Sequence, residues 1–401
     1  MILWVMPDSG ARTKADYQKL AAKFEKEHPG AKLTVQVFPR NMLWKTIFML
    51  KSPAAHEVVP DVVQIPHYWT ALLTRAGVVE NLSKLDPGFS LAQCLPALRP
   101  HCYCPGTKDI YSYPWWFDVS ALHYRADHLH LVSDKPEEEL STWEGLLDIC
   151  AKLQKQFADV EGYFPMQNSD WRGSLSTRAA FMEIWGHGAD LFTPDLHGTQ
   201  IGTPQFNQGI KDYITLALRE YMPILRERGS LGTMLTGKAS MLMSRKQGVA
   251  SFEGKRGVQV HTVPVPRTGQ APQAYLSGMN LMINVAGKDK ETALKFIKWC
   301  ARADNQVNYA ATMEVFPAMA DSFEQFIFSS SQRLQIYPGI VSTARTLPNM
   351  TITGTVVEIL NKVLAVSATE IVEGRFTQAN LDIELEHAAK EVEYLLSLYE
   401  G

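Results

Sequence analysis

Along residues 1–65 the spacing of apolar side chains changes period several times. Ile2–Met6 is a continuous apolar run, which predicts a buried strand. Over residues 13–28, Tyr17, Leu20, Ala21 and Phe24 fall on one helical face, and Pro29-Gly30 end the helix. Leu33, Val35 and Val37 alternate with polar residues, as a half-buried strand does. Asn41–Leu50 reads as helix and Asp61–Ile65 as a third strand. This βαβαβ rhythm predicts a mainly parallel sheet flanked by helices.

The pattern restarts further on. Ser141-Thr-Trp-Glu144 reads as a capping box, with Ser141 accepting a free backbone N–H and Glu144 reaching back, and it opens a helix to about Phe157. Helical spacing returns over 174–187 and 205–226. Strands are expected at Ser240–Ser244, Val258–Val265 and 281–285. Residues 291–303 put Leu294, Ile297, Cys300 and Ala301 together, and Leu385, Ala388, Ala389, Val392, Leu395 and Leu396 mark one face of a helical tail. No repeat, low-complexity tract or long linker interrupts the chain. Short Pro- or Gly-containing crossings occur near 112–118, 273–280 and 314–320. Three crossings predict two α/β lobes that the chain enters repeatedly: 1–114 with 279–316, and 115–278 with 317–401. Lobes joined in this way can close about the crossings, and a ligand touching both favours closure.

A length of 401 residues fits two cores better than one. Hydrophobic content of 46% and charged content of 20% suit a globular protein. A net charge of -3 with no basic block argues against nucleic acid as a partner. No apolar run is long enough to span a membrane. Met1 leads straight into the first strand, so the expectation is a cytoplasmic protein or one whose leader has been removed. The five cysteines form no disulfide framework, and His101-Cys102-Tyr103-Cys104 fits zinc spacing poorly. Cys150 and Cys300 fall on apolar helix faces and read as small core residues.

The chemistry concentrates in residues 111–125, Tyr-Ser-Tyr-Pro-Trp-Trp-Phe-Asp-Val-Ser-Ala-Leu-His-Tyr-Arg. In an extended segment Trp116 and Asp118 share one face, and Trp115 and Phe117 the other. A flat apolar ring beside a carboxylate suits a sugar; an aromatic core strand is the competing explanation. Gly232-Thr-Met-Leu-Thr-Gly237-Lys238 nearly spells a phosphate loop, but Ala239 stands where a hydroxyl should hold magnesium, so a turn before the next strand is expected. No nucleophile elbow, His-Glu-x-x-His or dinucleotide fingerprint occurs. A glycosidase would need two facing carboxylates, with Asp118 as one. Met6-Pro-Asp-Ser-Gly10, Pro39-Arg-Asn-Met-Leu-Trp44 and Pro66-His67-Tyr68-Trp69 each follow a strand, where open α/β sheets bind ligands. Trp171 lies in a polar loop between Asp170 and Arg172.

Several motifs, in order, extend over nearly the whole chain. They include Leu3-Trp-Val-Met-Pro-Asp-Ser-Gly10, Phe24-Glu-Lys-Glu-His-Pro-Gly30, Pro60-Asp-Val-Val-Gln-Ile65, Tyr113-Pro-Trp-Trp-Phe-Asp118 and Leu122-His-Tyr-Arg125. Thr142-Trp-Glu-Gly-Leu-Leu147, Trp185-Gly-His-Gly-Ala-Asp190, Gly237-Lys-Ala-Ser-Met241, Leu276-Ser-Gly-Met-Asn-Leu281 and Ala293–Ala301 follow. In these residues the chain resembles the extracellular solute-binding proteins of ATP-driven (ABC-type) sugar importers, the group of maltose- and trehalose-binding proteins. The resemblance implies the two-lobed periplasmic-binding-protein fold, each lobe a mainly parallel sheet flanked by helices, with a closing hinge, no catalysis and no cofactor or metal. It implies cleft positions for Trp116 and Asp118 at the first crossing, Gly278 and Met279 at the second, and Arg345 in Ser342-Thr-Ala-Arg345-Thr. Trp171 matches an aromatic position that stacks on sugar. Asp8, Ser9, Arg40, Trp44 and His67 are first-lobe candidates, and Trp115 stands beside Trp116.

Two departures bear on the ligand. Met279 replaces an aromatic plate found in many relatives, and Ser244-Arg-Lys-Gln-Gly248 replaces a Gly-Pro-Trp. Arg245 and Lys246 suit a carboxylate or phosphate, unless both are simply solvated. The expectation is a monomeric, non-enzymatic binder of a di- or oligosaccharide, held by aromatic stacking and polar hydrogen bonds between closing lobes. Its partner would be the membrane permease of an importer, in the periplasm or tethered outside the cell. A carbohydrate hydrolase and a binder of an acidic or phosphorylated sugar or polyol are the alternatives.

Overall fold

The computed structural model describes residues 1–6, 13–37, 59–167, 175–224, 232–245, 257–269, 273–330 and 332–398. The helix expected over Asn41–Leu50 lies outside them. In chain order the strands are β1 (Ile2–Val5), β2 (Thr34–Val37), β3 (Val62–Pro66), β4 (Tyr113–Arg125), β5 (Phe164–Gln167), β6 (Ala239–Arg245), β7 (Val260–Val263), β8 (Leu276–Ile283) and β9 (Phe316–Pro317). The longer helices are α1 (Thr13–Glu27), α2 (Trp143–Gln156), α3 (Thr177–Gly186), α4 (Pro204–Leu218), α5 (Lys290–Cys300), α6 (Ala303–Met313), α7 (Ala320–Ser329), α8 (Thr353–Val372) and α9 (Gln378–Ser397). The chain forms two compact units. The first comprises Met1–Asp118, Ser277–Ser331 and Thr346–Gly354; the second comprises Val119–Leu276, Gln332–Arg345 and Thr355–Gly401.

In the first unit β1 pairs in parallel with both β2 and β3, as the βαβαβ pattern predicts. β3 then meets β8 antiparallel, from Val62 opposite Ile283 to Pro66 opposite Met279. The start of β4 pairs with β9 through Trp116 and Phe117. Aromatic rings fill the space beneath the helices: Phe24 of α1 meets Phe296 of α5 edge to face at 5.2 Å. β8 begins at Leu276 rather than near 281, because Gly278 and Asn280 hide its apolar character. Asn280 is buried, yet its Nδ2 donates to Ser112 Oγ (2.8 Å) and to the His101 carbonyl (2.9 Å). A satisfied amide is tolerated in an interior where an unsatisfied one is not.

In the second unit the later half of β4 pairs antiparallel with both β6 and β7, and β5 runs parallel to β6. β4 is buried along all thirteen residues. Helices α3 and α4 approach so closely that a Cβ on Gly209 would lie 2.5 Å from Ile184 Cα, so that position requires glycine. α9 buries Leu385, Ala388, Val392 and Leu396, the face its spacing predicts, with Ala389 and Leu395 at its half-buried edge.

β7 is shorter than the expected Val258–Val265, and two helix ends also shift. The cap of α2 is Thr142, whose Oγ1 accepts from Gly145 N at 3.1 Å, while Ser141 Oγ donates to the Glu138 carbonyl. The helix expected over 205–226 stops at Leu218. Glu220 takes a left-handed conformation (φ 55°), Tyr221 N returns to the Leu216 carbonyl, and the Tyr221 carbonyl accepts from Met166 N. Residues 232–235 form one short helical turn, and Gly237 (φ 78°) leads into β6, as expected of a turn before a strand. Cys150 and Cys300 are buried on α2 and α5, and all five thiols are free.

Candidate functional site

Of the residues the sequence singled out, Asp8, Ser9, Arg40, Trp44, Trp171 and Lys246 lie outside the described residues. The others fall into two groups, one in each unit.

In the first unit the end of β3, the start of β4 and the start of β8 bring His67, Trp116 and Gly278 together. A Cβ on Gly278 would lie 3.0 Å from both His67 Nδ1 and the Trp116 carbonyl, so glycine permits this approach. Met279 is buried opposite Pro66. Asp118 is fully buried. Trp116 is 2% exposed, and its Nε1 has no hydrogen-bond partner among the described residues. Trp115 points the other way, as alternation along a strand dictates. It stacks on Tyr309 of α6 at 4.2 Å and meets Phe296 and Tyr17, so its ring is occupied by the core.

His67 Nε2 shares a hydrogen bond of 2.6 Å with Thr346 Oγ1. His101, from the turn before β4, donates its Nε2 proton to the Leu347 carbonyl at 2.6 Å. Asn349 accepts from Ala71 N and donates to the Pro100 and Tyr103 carbonyls. The short segment that re-enters this unit at Thr346 is thereby tied to the two histidines. Burial holds His101 down at about 4 and His67 well below the usual imidazole range, with His101 pushing His67 further in the same direction. Both rings are therefore neutral at pH 7.

In the second unit Arg345 is gripped by residues that hydrophobic periodicity does not single out. Its Nη2 donates to Asp190 Oδ2 at 2.6 Å, and its guanidinium lies 5.3 Å from the centre of the Trp185 ring. Trp185 Nε1 donates to Asp190 Oδ1 at 3.1 Å, as does Leu191 N at 2.8 Å. Trp185 in turn packs against both Phe181 and Tyr275, with centroids 5.6 Å from each, and those two rings lie 6.3 Å from one another. These rings are buried, whereas the Arg345 side chain remains 40% exposed. The result is a guanidinium edge presented on an aromatic support, suited to donating to ligand oxygens. Arg245 ends β6 opposite Ser120 and is half-buried. The signal for Asp190 was present only as part of Trp185-Gly-His-Gly-Ala-Asp190; nothing in its spacing links it to Arg345.

The sequence pattern of the bacterial extracellular solute-binding proteins matches residues 19–333, more than half of the chain. The chain belongs to that family. No protein of curated function matches this solute-binding protein by sequence. Among solved structures it is similar to an ABC transporter solute-binding protein from Thermotoga lettingae bound with α-D-tagatose, with a TM-score of 0.82, 17% identity and 99% of each chain covered. It is also similar to the GacH receptor of Streptomyces glaucescens, studied unliganded and with acarbose (0.81, 17%, 98% of each). A third is the Thermus thermophilus maltotriose-binding protein bound with maltotriose (0.78, 19%, 99% of this chain and 100% of that one). At these identities the likeness is one of fold, that of the periplasmic binding proteins.

Proposed function

We propose that this solute-binding protein captures a neutral di- or oligosaccharide and passes it, chemically unchanged, to the permease subunits of an ATP-driven importer. The observation that carries the reading is the family match over residues 19–333. The choice of carbohydrate draws on neighbours of the same fold that hold tagatose, acarbose and maltotriose. Capture takes place outside the cytoplasmic membrane, in the periplasm or tethered to the cell surface, by a monomer. No helix among the described residues is long and apolar enough to cross a membrane.

In this reading Arg345 donates to sugar oxygens from its exposed edge, and the unpaired Trp116 Nε1 offers a second donor. Asp118, Gly278, Met279 and His67 are the first unit's further candidates for ligand contact, and Arg245 is the second unit's. Asp8, Ser9, Arg40, Trp44 and Trp171 are proposed as contacts from the resemblance alone. Buried donors confer selectivity because a wrong sugar leaves them unmatched.

A thermal-shift panel of neutral mono- to tetrasaccharides, followed by chromatography of the incubated sugars, tests the reading. Ligand at a hundredfold excess over Kd adds about 2.7 kcal/mol, or about 3 °C in Tm for a chain of this size. A shift with unchanged sugar supports capture. Cleaved sugar indicates a hydrolase, and no shift across the panel removes carbohydrate as the ligand.

A further inference from the structure

We infer that Asp190 sets the charge preference of the ligand site: by neutralising Arg345 it makes the site accept uncharged saccharides and reject uronates and sugar phosphates. The inference rests on the carbohydrate reading above and deepens it, because a lone exposed arginine would favour the opposite class.

The argument begins with the pair itself. Arg345 donates to Asp190 at 2.6 Å, and among the described residues no other side chain hydrogen-bonds its guanidinium. A guanidinium carries five N–H donors in one plane. The Asp190 contact engages one edge, and the remaining donors stay available to neutral oxygens. An anionic group seeking the same donors would face the Asp190 carboxylate across a single guanidinium, and the two negative charges would repel at short range.

Asp190 cannot move aside at little cost, and the root of the Arg345 side chain is anchored beside it. Asp190 Oδ1 accepts from Trp185 Nε1 and from Leu191 N, and Asp190 N donates to Gln200 Oε1 at 2.7 Å. Arg345 is fixed through its backbone, its N donating to the Ala274 carbonyl (2.8 Å) and its carbonyl accepting from Leu276 N (2.7 Å). A second guanidinium, that of Arg178, lies 5.6 Å from the Tyr275 ring, on the same aromatic stack. Without the Asp190 charge, Arg345 would present an uncompensated cation on this stack and favour anions. Asp190 is thus a positioning residue for Arg345 and Trp185 as well as the source of the compensating charge.

The test compares full-length wild type with Asp190→Asn by calorimetry. The probes are a panel of neutral mono- to tetrasaccharides and the uronates made by oxidising their primary hydroxyls. Wild type is expected to bind a neutral member and to bind its uronate more weakly. Asp190→Asn, which keeps an acceptor for Trp185 and Leu191, should raise the uronate-to-neutral affinity ratio about tenfold or more. The rise should shrink at high salt. A merely structural role would lower both affinities together and leave the ratio unchanged, which overturns the inference while leaving the carbohydrate reading intact. A wild type that prefers the uronate also overturns it. A wild type that binds no member of either panel overturns the carbohydrate reading, and this inference with it. Should Asp190→Asn fail to fold, Arg345→Gln provides the second variant. It leaves the carboxylate without its cation, so the ratio should fall below the wild-type value, and a rise would overturn the inference.

Discussion

The imidazole rings of His67 and His101 meet edge to face with centroids 4.4 Å apart, inside the first unit. Both are buried and neutral in the folded state, whereas in the unfolded chain each takes up a proton near its ordinary value of 6.5. The unfolded state therefore binds more protons as pH falls below 6.5, and stability is lost in that direction. His101 alone contributes a slope of roughly 1.4 kcal/mol per pH unit between 6.5 and about 4. Denaturant unfolding at pH 6.5, 5.5 and 4.5 should show progressive loss. His101→Gln should reduce the slope by its own share, with His67, His123 and His128, which burial depresses likewise, supplying the rest. An unchanged slope in the variant would mean that other groups set the acid limit.

Glu183 of α3 gives the opposite sign. It is 1% exposed and hydrogen-bonded to Thr268 Oγ1, and burial raises its carboxyl to about 8. The folded protein keeps a proton that the unfolded chain releases near 4.5, so this contribution is complete below 4.5 and declines as pH rises toward and through 8. Glu183→Gln should make stability at pH 8.5 closer to that at pH 6, by a few kcal/mol at most. A variant that is equally pH-sensitive would show Glu183 to be ionised in the folded protein.

Trp116 carries a buried indole N–H without a partner among the described residues. Trp116→Phe deletes that donor and keeps most of the ring. Removing an unsatisfied donor offsets part of the packing loss, so stability should change by only about 1 kcal/mol. If the indole donates to ligand, saccharide affinity should fall about tenfold. Calorimetry showing full affinity would remove Trp116 from the site.

Gly278→Ala places a methyl 3.0 Å from the Trp116 carbonyl, a backbone atom that cannot rotate away. The expected cost is about 1–3 kcal/mol in unfolding free energy. Saccharide binding should weaken beyond that of a control such as Gly88→Ala, whose Cβ would meet only the Asp86 side chain at 3.5 Å. Equal behaviour of the two variants would show that the close approach at Gly278 has no bearing on the ligand.

The parallel pairing of β1 with β2 and β3 and the buried face of α9 were legible in the sequence because apolar spacing reports burial directly. For α5 only Ile297 and Cys300 of the expected face are buried, and Ala293, Phe296 and Trp299 complete it in place of Leu294 and Ala301. The end of α4 was not. Tyr221 and Met222 continue the apolar pattern of the helix, but Tyr221 spends its backbone on Met166 of β5. The start of β8 was masked because its buried polar residue, Asn280, is paid for by partners more than 160 positions away. The site divides in the same manner. Gly278 and His67 stand out as candidates by position, at a crossing and after a strand, and the fold brings them together. The clasp between Asp190 and Arg345 joins positions separated by 155 residues, and its hydrogen bond depends on the tertiary fold.

The chain leaves one unit for the other after Asp118, Leu276, Ser331, Arg345 and Gly354. Neither half is consequently a contiguous stretch of gene. Exchanging ligand preference by transplanting one half into a homologue would require five junctions, and no single truncation would yield an isolated half. Specificity in this molecule has to be re-engineered by point substitution.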